Sequence, residues 1–167
     1  LAKQEVRLAA ANRFDGGNAQ VVRNGVLENL AYSRYWAQQQ GKAPTPGPGN
    51  LILTTSAAPV KLAELIATTE RGLLVSRFWY IRPVDLRTLT FTGLTRDGLW
   101  LVEGGQIKHA VRNFRFNQSL LEMLAPGALD AIGVPERVTE SEGNNLTMFL
   151  PPLKIKRFNF SSQSDAV

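Results

Sequence analysis

The chain has 167 residues, of which 44% are hydrophobic and none is cysteine; that is enough apolar material for a core without staples, and it excludes disulfides, thiolate zinc sites and a cysteine nucleophile. The formal net charge is +5, from 19 basic and 14 acidic residues, but the cations are scattered and only Lys154, Lys156 and Arg157 crowd together, so charge alone does not mark a nucleic-acid surface. No apolar run reaches the roughly 18 residues that span a bilayer, since Leu73 to Trp79 is short and interrupted by Ser76 and Arg77. The chain starts at Leu1 with no signal-peptide pattern, so the expectation is a cytoplasmic domain that is a fragment of a longer chain.

Gln20 to Arg23 and Val26 to Asn29 flank Asn24-Gly25. Asn-Gly between strand-like runs predicts a two-residue hairpin, because both residues tolerate positive φ. Ser33 predicts the cap of a short helix that runs to Gln40 and stops at Gly41. Lys42 to Asn50 holds three prolines and two glycines in KAPTPGPGN, which sustain neither a ladder nor a helix. It reads as an exposed loop, either plain or a lid facing substrate.

Leu51 to Thr55 reads as a strand. Ser56 and Pro59 predict the start of a helix with Leu62, Leu65 and Ile66 on one face and Gly72 at its end. Leu73 to Tyr80 then forms a strand, and a β-meander follows through Ser119 with tight turns at Arg96-Asp97-Gly98 and Glu103-Gly104-Gly105. Leu89 and Phe91 alternate with Thr88, Thr90 and Thr92, a period of two that buries one face and wets the other. Leu99 to Val102 continues after the first turn, and Val111, Phe114 and Phe116 close the meander.

Asn117 or Ser119 caps a helix over Leu120 to Leu124, broken by Pro126-Gly127. Glu140 to Asn145 is polar and turn-like, Leu153 to Phe160 reads as a last strand, and Ser161 to Val167 reads as a disordered tail. The expected fold class is α+β: a mainly antiparallel meander or barrel-like sheet with two or three short helices, in a single domain over residues 1–167.

The residues that carry chemistry are few. His109 has no His or Cys at ligand spacing and reads as a strand-surface residue. There is no Gly-x-Ser-x-Gly elbow, and the proline-glycine loop lacks the Gly-Lys-Ser/Thr ending of a phosphate loop. Glu140 and Glu142 read as solvated carboxylates. Arg77, Arg82, Arg87 and Arg96, with Asp85 and Asp97, are denser than a sheet surface needs. They form either an ion-pair network with Asp85 or a groove that holds an extended peptide.

Several motifs in order resemble the C-terminal domain of the TldD/PmbA family. They are Arg13-Phe14-Asp15-Gly16-Gly17, Val22-Arg23-Asn24-Gly25-Val26-Leu27, Arg34-Tyr35-Trp36-Ala37, Gly72-Leu73-Leu74-Val75, Thr92 to Gly98, Glu103-Gly104-Gly105 and Val111 to Asn117. The resemblance covers nearly the whole chain. It implies a two-domain parent that acts as a homodimer or a heterodimer with a family homologue. In the active subunit an upstream His-Glu-x-x-x-His helix and a Cys near the C-terminus hold zinc. The helix is not in this sequence, and Arg137 or Val138 stands where the Cys is expected. That departure resembles the PmbA-like partner subunit or a divergent member.

The implied activity is cleavage of unfolded peptides by zinc-activated water. This domain would supply sheet edges and a groove wall, with Arg77, Trp79, Arg82, Arg96, Asp97 and Arg112 as substrate-binding candidates and no catalytic or metal residue. No cofactor is expected in this fragment, and zinc belongs to the parent chain. A basic nucleic-acid-binding adaptor is the remaining alternative, and the family's association with DNA gyrase control implies no DNA site here.

Overall fold

A computed structural model describes residues 6–11, 18–23, 26–45, 50–55, 58–139 and 147–164. In chain order the elements are β1 (Val6–Ala11), β2 (Asn18–Arg23), β3 (Val26–Leu27), α1 (Arg34–Gln39), β4 (Asn50–Thr55), α2 (Leu62–Ala67), β5 (Arg71–Asp85), β6 (Thr90–Glu103) and β7 (Gln106–Ala110). Then come β8 (Phe114–Ser119), α3 (Leu120–Met123), β9 (Leu129–Ile132), β10 (Glu136–Thr139), β11 (Thr147–Leu150), β12 (Leu153–Ile155) and β13 (Phe160–Gln163). The α+β class holds. The sheets are open in strand order and do not close into the barrel that the sequence also suggested.

The chain divides into two compact units, residues 1–59 with 134–152 and residues 60–133 with 153–167. In the first unit six strands run in the order β10-β11-β4-β1-β2-β3. All neighbours are antiparallel except β11 with β4. Arg23 pairs with Val26, as a two-residue hairpin requires; Asn24 and Gly25 themselves lie outside the described residues. Helix α1 begins as expected, with the Ser33 hydroxyl accepting from Trp36 N at 3.3 Å. It ends in two closing bonds, Lys42 N to Ala37 O at 2.9 Å and Gly41 N to Gln38 O at 3.3 Å, with Gly41 at φ 60. That is a Schellman end, which needs a residue free to adopt left-handed backbone.

The loop after α1 is exposed from Lys42 to Pro44, and Thr45 is tied back by its N–H to Tyr32 O at 3.0 Å. Pro46 to Gly49 lie outside the described residues. Asn50 belongs to β4, not to the loop.

The second unit is built around the β5–β6 hairpin. The fifteen-residue β5 pairs antiparallel with β6, from Arg71↔Glu103 to Asp85↔Thr90, with interruptions in register. The other edge of β6 is shared: β8 pairs with Thr90 to Leu94 and β7 with Trp100 to Glu103. Where neither ladder reaches, the buried Thr95 closes the gap. Its hydroxyl donates to Asn113 Oδ1 at 3.0 Å and accepts from Phe114 N at 2.9 Å. β13 extends the sheet beyond β8, and β12 pairs with β9 in a separate two-stranded ladder.

Period two decides what each strand buries. Phe78 turns inward to an aromatic cluster, 4.9 Å from Phe116 and 5.2 Å from Phe158 by ring centroid, and Phe158 lies 4.9 Å from Phe160. Its neighbours Arg77 and Trp79 therefore share the opposite face. Leu65, Leu99, Val102, Phe116 and Ile132 are buried.

Several expectations are corrected here. Arg96-Asp97-Gly98 is not a turn between strands: β6 continues through it, and the hairpin turns instead at residues 86–89, with Leu89 at φ 46. The turn at Gly104-Gly105 is as expected, with φ 56 and 73. Helix α2 starts at Leu62 with no side-chain cap, and Thr68, not Gly72, caps its end. Pro59 and Val60 precede it as extended chain, because Val60 bridges to Gly133. Of its expected face, Leu65 is buried and Ile66 half-buried, whereas Leu62 is exposed.

Ser119, rather than Asn117, caps α3. The single last strand is two strands, β12 and β13, in different sheets. The expected tail is ordered through Ser164, whose N–H donates to Asn113 O at 2.8 Å; residues 165–167 and the polar stretch 140–146 lie outside the described residues.

Candidate functional site: an arginine–tryptophan–aspartate cluster on the long hairpin

β5 and β6 carry bulges between Val75 and Arg77, Trp79 and Arg82, and Pro83 and Asp85. The first is stitched by Ser76, whose hydroxyl donates to Arg96 O at 3.1 Å and Gly98 O at 2.9 Å. Across it, Asp97 adopts φ 63 and Gly98 φ 149. In a regular strand Arg96 and Asp97 would point to opposite faces. The left-handed turn of the chain at Asp97 brings both side chains together.

Four of the six expected residues meet there. Arg77 donates from Nη1 to Asp97 Oδ2 at 2.6 Å. Arg96 Nε lies 3.5 Å from Asp97 Oδ1, so one carboxylate bridges two guanidinium groups. Both guanidiniums lie over the Trp79 ring, Arg77 at 4.6 Å and Arg96 at 4.7 Å from its centroid. Arg77 and Arg96 are direct cross-strand partners, an arrangement that like charges disfavour unless an anion or a π face compensates. Among the described residues the buried Arg77 Nε has no hydrogen-bond partner, which costs stability that the fold makes up elsewhere.

Arg82 and Arg112 do not join the cluster. Arg82 lies over Tyr80 at 4.1 Å and donates to Ile81 O at 2.8 Å, at a bulge where Tyr80 takes φ 54. Arg112 is exposed on the connector between β7 and β8. The expected network around Asp85 is corrected as well. Asp85 Oδ1 accepts from Arg87 N at 2.8 Å, and the carboxylate that serves the arginines is Asp97. Ser76 carried no sequence signal as a site residue, because its role depends on a bulge that only the pairing of two distant segments creates.

Among the described residues no three His, Cys, Asp or Glu side chains are placed to hold a metal ion. His109 is exposed on β7, opposite Leu101. The donor set that a family zinc would need is therefore not formed by these residues. Neither of two open clefts among the described residues includes a residue of the cluster. One of about 530 Å³ includes Tyr32, Lys42 and Thr45, and one of about 660 Å³ includes Gln118, Glu122, Lys156 and Arg157.

Residues 15–162 match a family model described as the PmbA/TldA metallopeptidase C-terminal domain. No curated protein matches the chain. Among solved structures, TldE from Thermococcus kodakarensis is similar in fold, with a TM-score of 0.70 at 16% identity over 93% of this chain and 39% of that one. A candidate modulator of a DNA gyrase from Thermotoga maritima aligns with a TM-score of 0.67 at 18% identity, over 92% of this chain and 38% of that one. Another from Bacteroides thetaiotaomicron gives 0.66 at 22%, over 94% and 36%. The chain thus spans less than two fifths of the length of each of these structures.

Proposed function

The chain belongs to the PmbA/TldA metallopeptidase family, as its C-terminal domain, and from that membership we propose that it supplies the substrate-binding wall and a subunit-pairing surface of a cytoplasmic peptidase assembly. The observation that carries this reading is β5. It is the last strand of its sheet in the order β13-β8-β6-β5, so no other described strand pairs with its outer edge, and the Arg77–Trp79–Arg96–Asp97 cluster lies on it and its partner. An unfolded peptide laid along that edge would gain main-chain hydrogen bonds that do not depend on its sequence. Bulges, Pro83 and the arginines interrupt the edge, which suits a chain that must admit a peptide yet resist indiscriminate sheet growth.

Pairing of subunits is supported by the hairpin tip. Val84 and Leu86, beside and in the turn, are 60% and 69% exposed, and exposed apolar side chains favour contact with another surface. The partner would be a second copy or a family homologue.

The test uses the intact parent protein, its active companion if it has one, and a flexible unfolded peptide. Trp79→Ala is expected to raise KM several-fold while leaving zinc content unchanged. An unchanged KM would contradict a binding role, and lost zinc would mean that the domain helps hold the metal. A second reading, a non-catalytic partner subunit, is favoured by the absence of cysteine from all 167 residues. It predicts no zinc in the parent and activity only with a companion chain.

A further inference from the structure

We propose that Arg96, seated on Trp79 and beside Asp97, is a carboxylate-recognition point for the bound peptide; this rests on the peptide-binding reading above. Charge at the cluster does not balance. Two guanidiniums, Arg77 and Arg96, share the single carboxylate of Asp97. Arg77 takes the short bond at 2.6 Å, and Arg96 touches Asp97 only through Nε at 3.5 Å. Among the described residues the terminal amino groups of Arg96 meet no carboxylate or carbonyl. Its side chain is 43% exposed against 32% for Arg77, so Arg96 is the one a ligand can reach.

The division of labour is chemical. Asp97 locks Arg77, and the paired Arg77 keeps Asp97 from fully neutralising Arg96. The Trp79 ring holds the Arg96 guanidinium through a cation–π contact at 4.7 Å, an interaction that uses up none of its N–H donors. A guanidinium edge matches the two oxygens of a carboxylate. The cluster is also where the backbone is strained, at Asp97 with φ 63, and where a buried donor, Arg77 Nε, lacks a partner among the described residues. Costs collected at one surface position are a mark of a working site. The carboxylate comes either from the free C-terminus of the peptide or from an Asp or Glu side chain.

The experiment measures binding of labelled unfolded peptides to the intact parent protein, and to its Arg96→Gln and Arg96→Lys variants. Three peptides of one neutral sequence are compared: free C-terminus, amidated C-terminus, and amidated with one internal Glu. The parent is expected to favour at least one carboxylate peptide over the amidated neutral one by on the order of tenfold. Arg96→Gln is expected to bring the carboxylate peptides down to the level of the neutral one, and Arg96→Lys to restore part of the preference. Preference for the free C-terminus names the terminal carboxylate, and preference for the Glu peptide names a side chain.

Equal binding of all three by the parent overturns the carboxylate proposal and leaves the peptide-binding reading standing. So does an equal loss of all three in Arg96→Gln. No binding of any peptide overturns both.

Discussion

At the residue scale the fold depends on a few backbone positions with little tolerance. Gly104 and Gly105 both take positive φ in the β6–β7 turn, yet they are not equivalent. A Cβ on Gly104 would meet nothing within 4 Å, whereas one on Gly105 would sit against the backbone carbonyl of Ala67. Gly104→Ala should therefore cost about 1–2 kcal/mol, the left-handed penalty alone. Gly105→Ala should cost roughly 1–3 kcal/mol more because backbone must move, and denaturant midpoints of the two variants would show the order.

Asp97 is the opposite case, a non-glycine residue at φ 63 whose carboxylate meets both Arg77 and Arg96. Asp97→Asn keeps a side chain that tolerates this backbone but removes the carboxylate. The pair is a third to a half exposed, so the loss should be no more than about 1 kcal/mol and should shrink at high salt. Asp97→Ala adds a left-handed penalty of about 1 kcal/mol that salt does not screen. Thermal melts at low and high salt separate the two; a salt-independent Asp97→Asn effect would remove the charge argument.

At the element scale the sheet is closed by single side chains where ladders lapse. Thr95 is 2% exposed, and its hydroxyl joins Asn113 to the start of β8. Thr95→Val preserves shape but leaves the Phe114 N–H and the Asn113 side chain without that partner. The expected loss is about 1–3 kcal/mol, read from urea unfolding; a change near zero would mean that water takes over both groups.

Local chemistry made several elements legible in the sequence. The Ser33 cap, the Gly41 stop, the Gly104-Gly105 turn and the Asn24-Gly25 hairpin register were readable because each depends on residues within one turn, and the α3 cap was narrowed to Asn117 or Ser119. What was hidden depends on partners distant in sequence. β9, β10 and β11 are four-residue strands, too short to show a period, and β11 is defined by parallel pairing with β4, nearly a hundred residues earlier. Arg96-Asp97-Gly98 has the composition of a turn, and only the opposing bulge at Ser76 makes it a strand. For the same reason Arg77, Trp79, Arg96 and Asp97 were readable as a group, while Asp97 as the shared carboxylate and Arg82 and Arg112 as outliers were not.

At the scale of the whole molecule, no described helix is long and apolar enough to cross a membrane. The exposed apolar tip of the hairpin is the surface proposed to pair subunits. Replacing Val84 and Leu86 together by Asp should convert an oligomeric parent to monomer in sedimentation, with the fold intact because both side chains already face water. An unchanged sedimentation coefficient would place the pairing surface elsewhere.

The central claim is that peptide binds along β5 of this domain. It is tested most directly by amide hydrogen exchange of the intact parent protein with and without an unfolded peptide. The expected result is new protection concentrated in Arg71–Asp85, strongest beside Arg77 and Trp79. Bound peptide with no change in exchange anywhere along β5 would contradict the account.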